Sequence, residues 1–346
     1  MGHASDRFAL LHLGFDDIWA SLLKKSLHNG EVGRISRVER GECDVLVTNG
    51  EIRAQSDSQR AQSSIAPVTG DWVTVVHEND NWMIETVLDR RTALVRRDPG
   101  EREVHQPLSA NVDVVFLVHG FDRPFRAGKL ERFLVLAWNA GATPVVVLAK
   151  ADLADDAQRA ELSAVVAAVA PGVEVVITST ETGEGLDRVS ELLHPHLTGT
   201  MLGESGAGKS SLVNALLGSE VQETQQVRKG DAKGRHTTIT RDLLILPDSG
   251  VLIDTPGIRA VGLWDAQDAL ERVFADILEL GEGCKFRDCA HDAEPACAVR
   301  EAVETGAVDH RRLDRFRIMA DELAESEQRL VERERSNSGR RGKRRR

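Results

Sequence analysis

Nine consecutive residues, Gly203, Glu204, Ser205, Gly206, Ala207, Gly208, Lys209, Ser210 and Ser211, have the types and spacing to hold a phosphate chain. They fit G-x-x-x-x-G-K-[ST]. Glycines let successive backbone N–H groups converge on phosphate oxygens without Cβ obstruction. A helix opening near Gly208 aims its positive end at the same anion. Lys209 reaches toward β- and γ-phosphates, and the Ser210 hydroxyl suits Mg²⁺. The short segment Thr198–Leu202 precedes the loop, and an apolar helix through Leu212, Val213, Leu216 and Leu217 follows it. A glycine-rich turn matching by chance would not bring that helix and an adjacent Lys-Ser. The loop alone leaves ATP and GTP, and hydrolysis and kinase chemistry, open.

A second phosphate signal follows. The apolar run Val251-Leu252-Ile253 leads into Asp254-Thr255-Pro256-Gly257. This D-x-x-G suits γ-phosphate sensing, with Asp254 near Mg²⁺ and the Gly257 N–H facing phosphate. Between the two phosphate motifs lies Gly234-Arg235-His236-Thr237-Thr238, after the polar stretch 228–233. Thr237 or Thr238 would complete the Mg²⁺ and γ-phosphate contacts, and the polar stretch suits a segment that orders on binding. Ile258 stands where many GTPases place a water-orienting Gln, so hydrolysis should be slow without help. His236 suits positioning that water and suits contacting a partner equally well.

The base-reading residues come earlier in the chain. Ala149-Lys150-Ala151-Asp152 closes the apolar run Val145–Leu148. A carboxylate at Asp152 accepts from guanine's ring N–H and exocyclic amine together, a pair adenine does not offer. Lys150 lays its aliphatic stem along the base. Ala149 replaces the usual Asn, which should weaken binding by about 1 kcal/mol while Asp152 keeps specificity. An ordinary helix start capped by Asp152 is the plain alternative, and the position after a buried strand argues against it. Thr178-Ser179-Thr180 matches a Ser-Ala loop, with the Thr180 N–H toward guanine O6. Ordinary GTPases run phosphate loop, switches, then base motifs. Here the base motifs lead, the order of a circular permutation, which compact domains tolerate when the new ends lie at the surface.

A third chemistry sits downstream. Cys284, Cys289, His291 and Cys297 crowd into one short segment with the ligand set of a closed structural Zn²⁺ site. Free thiols beside a surface histidine would not need that density. The remaining cysteine, Cys43, reads as a core thiol. Too few cysteines for a disulfide framework point to a reducing cytoplasm.

These sites need scaffolds. The 346 residues are 41% hydrophobic with net charge −11. That suits two or three domains and is not a polycation's balance. Residues 1–30 carry Phe15, Ile18, Trp19, Leu22 and Leu23 on one face of a short helix that should pack on the next domain. A lipid surface is the alternative, and Asp16 and Asp17 oppose it. No run reaches the ~20 apolar residues of a membrane span, and no signal peptide is expected. Residues 31–95 show five short β segments separated by turn signals, suiting a closed OB-fold barrel. Arg34, Arg37, Arg40 and Arg53 would favour RNA there, against a purely structural barrel. Residues 96–110 read as a linker. From residue 111 to 275 apolar strands alternate with helices, predicting a parallel α/β sheet covered on both faces. Residues 276–335 form a helical zinc-binding segment. The tail 336–346 ends in six basic side chains and one glycine from Arg340 to Arg346, suited to a phosphate backbone.

The permuted motif order, Gly70-Asp71-Trp72, Gly234–Thr238, Asp254–Gly257 and the zinc ligands together resemble the ribosome small-subunit-dependent GTPase A family, over roughly residues 31–335. The resemblance implies an OB-fold, a circularly permuted P-loop GTPase domain and a C-terminal zinc domain. It also implies hydrolysis of GTP to GDP, stimulated by the small ribosomal subunit, with a role in late maturation of that subunit through its rRNA. A cytoplasmic monomer with no membrane or DNA partner is expected. A nucleotide-regulated RNA-binding translation regulator, and a P-loop ATPase or kinase, are the competing readings.

Overall fold

The computed structural model describes residues 10–25, 30–39, 41–56, 65–97, 105–194, 196–218, 241–247, 249–254, 263 and 265–343. Two compact units divide the chain. The first comprises residues 1–95, 106–125 and 140–260, and the second residues 96–105, 126–139 and 261–346.

The first unit contains helix α1 (Asp17–Lys25). Asp16 caps it, its Oδ1 accepting from the Ile18 and Trp19 N–H groups at 3.0 Å. Phe15 and Trp19 are buried, while Ile18 points outward. Phe15 meets Trp72 edge-on with centroids 5.0 Å apart, so the extension does pack on the barrel.

The barrel strands are β1 (Glu31–Glu39), β2 (Glu42–Val47), β3 (Gly50–Gln55), β4 (Trp72–Glu78) and β5 (Asn81–Val87). They close in the order β1-β2-β3-β5-β4. Alternating residues of these strands point inward, which is why Ile35, Cys43, Val45, Ala54, Val73, Val75 and Ile84 make one core. Burial pushes the Cys43 thiol up to about 12, as befits a core thiol. The Gly70-Asp71-Trp72 stretch has a physical spelling. Gly70 has φ +94°, and a Cβ there would collide with the Ala110 carbonyl. Asp71 takes a two-pronged grip from Arg90, both bonds 2.7 Å. Trp72 is completely buried.

Among the described residues, Arg34, Arg37 and Arg53 of the barrel each have hydrogen-bond partners. Arg34 is 1% exposed and donates to the carbonyls of Leu13, Gly70 and Asn111 and to Thr198 Oγ1. Burial lowers its pKa to about 10, against the pull of Asp113 and Asp71, so it stays charged at neutral pH. It therefore staples the extension, the barrel and the sheet. Arg37 is bonded to Asp242 at 2.6 Å, and Arg53 is shared among Glu42, Asp44 and Glu39. Enclosed in this way, Arg34 is not available for the expected RNA contact, whereas the Arg37 and Arg53 side chains stay 36% and 44% exposed; Arg40 lies outside the described residues.

Strands β6 (Ala93–Arg97) and β7 (His105–Ala110) pair with each other, within and beside the stretch read as a linker. The α/β sheet then collects β8 (Val114–Gly120), β9 (Thr143–Ala149), β10 (Glu174–Ile177), β11 (Thr198–Gly203), β12 (Asp242–Ile245) and β13 (Val251–Asp254). Their order is β10-β9-β8-β11-β13-β12, with only β12 antiparallel. The short segment before the phosphate loop is a full central strand, buried throughout and paired with both β8 and β13. Chain direction across the sheet reverses between β8 and β11. Such a reversal opens a crevice at the carboxyl ends of the strands, where ligands of open α/β sheets bind.

In the second unit, helix α2 (Ala127–Asn139) joins α6 (Gln267–Val273), α7 (Ala275–Gly281), α8 (Ala298–Glu304) and α9 (His310–Lys343). Between α2 and α6 in the chain lie α3 (Asp156–Val169), α4 (Leu186–Glu191) and α5 at 209–218, all of the first unit. Sequence spacing puts α2 in the α/β domain. Its charges explain the difference. The wholly buried Glu131 is held by Arg312 at 2.9 Å and by the Arg315 fork, and Arg132 grips Glu322. A buried carboxylate needs such partners, and they lie on α9.

Candidate functional site

Strand β11 ends at Gly203, and the phosphate loop turns directly into α5. Gly206 and Gly208 hold φ of +77° and +107°, conformations that side chains disfavour. Ala207 is buried, whereas Ser205, Ser210 and Ser211 are exposed. Lys209 Nζ donates to the Gly203 and Glu204 carbonyls at 2.7 and 2.8 Å, curled over its own loop. Asp254 ends β13, the strand beside β11, and is exposed at the same end of the sheet as Ser210. The sheet thus brings both hydroxyl and carboxylate candidates for Mg²⁺ to its carboxyl end. His236, Thr237, Thr238 and Gly257 lie outside the described residues.

The base motifs converge on the same crevice. Lys150 follows β9 in a left-handed conformation, φ +63°, which turns the chain into a single 3-10 turn, Ala151–Leu153. Ala151 N donates to the Thr178 carbonyl at 3.0 Å, clamping this turn to the loop after β10. Ser179 is fully buried, and its Oγ donates to Asp152 Oδ1 at 2.6 Å while accepting from Glu181 N. Thr180 is exposed beside it. A cavity of about 250 Å³ is lined by Ala149, Lys150, Asp152, Thr178, Thr180 and Gly208, among others. Base-reading and phosphate-loop residues therefore border one space.

Two residues missed by sequence reasoning stand at this crevice. Asp122 and Arg123 follow the end of β8 at Gly120, one residue on. Arg123 donates to the Ser205 and Gly206 carbonyls, and Asp122 accepts from Lys150 at 2.7 Å. The Arg123 and then the Lys150 hydrogen bonds hold the Asp122 carboxyl well below the usual range. Their position just past a buried strand end was the available signal.

The RsgA GTPase family model matches residues 87–264. The small ribosomal subunit biogenesis GTPase RsgA of Streptomyces coelicolor is 45% identical over 330 residues, covering 94% of this chain and 89% of its own. The chain belongs to the RsgA GTPase family. An RsgA of Methanosarcina acetivorans is 39% identical over 84% of this chain and 79% of its own. The crystal structure of YjeQ from Thermotoga maritima overlays with a TM-score of 0.62 at 29% identity, covering 85% of this chain and 98% of that one. YloQ, a circularly permuted GTPase by its title, overlays at 0.58 with 28% identity, covering 87% and 96%. As an RsgA GTPase, this chain has the permuted nucleotide domain, the OB-like barrel and the C-terminal cysteine cluster together. Family membership implies GTP, GDP and Mg²⁺.

The cysteine cluster of this RsgA GTPase fits a zinc ion by distance. Cys284 Sγ lies 3.8 Å from Cys297 Sγ, and each sulfur lies 3.5 Å from His291 Nδ1. A tetrahedral ion with Zn–S of about 2.3 Å and Zn–N of about 2.0–2.1 Å spaces sulfurs about 3.8 Å and sulfur from nitrogen about 3.5 Å. Cys289 joins them, all four ligand atoms lying within 4.8 Å of one another. Burial lowers the His291 pKa, which favours the neutral imidazole a metal needs. His291 reaches this position through a left-handed turn, φ +58°. With four protein donors the site has no open position for catalysis.

Proposed function

We propose that this chain is a cytoplasmic, monomeric GTP hydrolase that acts as a late maturation factor of the small ribosomal subunit, contacting its rRNA and stimulated by it. The observation that carries the nucleotide part is the Ser179–Asp152 bond beside the phosphate loop. It orients the Asp152 carboxylate beside the phosphate loop, which supports a role in accepting from guanine's N–H and amine together. The partner follows from its relatives, whose names assign them to small ribosomal subunit biogenesis.

In this reading the N–H groups of residues 203–211 cradle the phosphates. Lys209 leaves the Gly203 and Glu204 carbonyls to meet the β- and γ-oxygens, where it offsets charge that grows in the transition state. Lys150 and Asp152 hold the base, with Ser179 and Thr180 behind it. Ser210, Asp254 and one of Thr237 and Thr238 would hold Mg²⁺, which when bound supplies charge neutralisation across the phosphates. Gly257 senses the γ-phosphate, and His236 positions water or meets the partner. Cys284, Cys289, His291 and Cys297 would hold one structural Zn²⁺ that keeps its segment folded. Competition of GDP and ADP for the full chain tests the base assignment. GDP should displace bound fluorescent GDP at least a hundredfold more effectively than ADP, on the order expected for two charge-assisted hydrogen bonds. Equal displacement would return the chain to the ATPase or kinase reading.

A further inference from the structure

The strand pair at which the sheet order reverses carries an ionic clasp. Arg123, at the end of β8, sends Nη1 to the Ser205 carbonyl at 2.8 Å and Nη2 to the Gly206 carbonyl at 2.7 Å. Lys150, at the end of β9, sends Nζ to the same Gly206 carbonyl at 2.8 Å. Asp122 bridges the two cations, accepting from Lys150 at 2.7 Å and from Arg123 Nε at 3.1 Å. Gly120 leaves room for this arrangement, because a Cβ there would collide with the Asp122 carboxylate.

We propose that Asp122 and Arg123 are positioning residues that set the phosphate loop against the base-reading segment, a task for which the Ala149 side chain has no polar atom. The proposal rests on the guanine-nucleotide reading above. In a phosphate loop the peptide N–H groups face the anion, so the carbonyls of neighbouring peptide planes face away from it. Holding those carbonyls fixes the planes before the nucleotide arrives, and fixing a loop in its bound shape raises affinity. Gly206 and Gly208 otherwise turn freely. The methyl of Ala149 is buried and lies 3.3 Å from where a Gly208 Cβ would stand, so it meets the loop by contact alone. The Arg123 fork supplies two directed bonds from the adjacent strand end instead. Base choice stays with Asp152.

Fluorescent GDP and ADP titrations of the full chain test this, with Arg123→Ala, Arg123→Lys, Asp122→Asn, Ala149→Asn and the Arg123→Ala/Ala149→Asn pair. Arg123→Ala should weaken GDP binding ~10-fold, as expected for two lost hydrogen bonds, with the GDP-over-ADP ratio unchanged. Arg123→Lys should recover only part, because an ammonium lacks the planar fork. In the Ala149→Asn background the Arg123→Ala loss should shrink to roughly threefold or less, the signature of coupled positions. For GTP turnover, KM should rise while kcat stays within about twofold. Asp122→Asn, which keeps the side-chain size, should give an intermediate loss with an unchanged melting temperature. Unchanged GDP affinity in Arg123→Ala, or an equal loss in both backgrounds, would overturn the proposal. Equal binding of GDP and ADP by the unaltered chain would instead sink the guanine reading, and the clasp would then be judged by its loss with either nucleotide.

Discussion

Ser179 and Asp152, 27 residues apart, share a 2.6 Å hydrogen bond from the serine hydroxyl to the carboxylate. The serine comes from the loop after β10, and the aspartate from the turn after β9. A buried hydroxyl thereby aims an exposed carboxylate. Asp152→Ala should weaken GDP binding by about 2–4 kcal/mol, and Ser179→Ala by about 1 kcal/mol, since the first removes charge-assisted bonds and the second only their alignment. ADP binding should not change in either variant. Calorimetric titration checks both, and an equal loss for GDP and ADP would contradict the assignment.

The Cys284, Cys289, His291 and Cys297 cluster predicts one zinc ion per chain by elemental analysis. Cys297→Ser should lose most of that zinc and lower the melting temperature, because a structural ion's binding energy is folding energy. A strong chelator should do the same to the unaltered protein. An unchanged melt after complete metal removal would show that the ion contributes nothing to stability.

His119 gives a pH signature. It lies near the end of β8 beside Phe125, ring centroids 5.4 Å apart, and its buried Nε2 has no hydrogen-bond partner among the described residues. Burial lowers its pKa below the ordinary 6.5, so between those two values the unfolded chain binds more protons than the folded one. Its contribution to stability is full above pH 6.5 and is lost as pH falls through the lowered value. His12, lowered chiefly by burial, adds the same sign. Urea midpoints at about pH 7.5 and 5.5 should differ, and His119→Gln should reduce the difference. A midpoint that rises on acidification in this range would contradict the sign.

Much of this could be read from the chain because it is local. The phosphate loop, the barrel alternation and the cysteine spacing each lie within a short window, so periodicity and turn chemistry expose them. Glu131 shows what could not be read. Its partners Arg312 and Arg315 lie more than 180 residues away, and only their meeting explains a buried charge on an amphipathic helix. Arg34 failed for the same reason. A strand arginine looks like a nucleic-acid contact until distant carbonyls from Leu13 and Asn111 are seen to enclose it. Arg123 was missed because backbone acceptors have no sequence signature.

The central claim is that GTP turnover is timed by the small ribosomal subunit. Steady-state phosphate release from GTP, measured for the full chain alone and with purified small subunits, tests it most directly. Slow intrinsic turnover should rise at least ~10-fold with small subunits, in keeping with the large accelerations that partners give GTPases lacking a complete water-positioning set. Lys209→Ala should abolish both rates. Turnover that is unaffected by small subunits, or that survives the Lys209 change, would contradict the account.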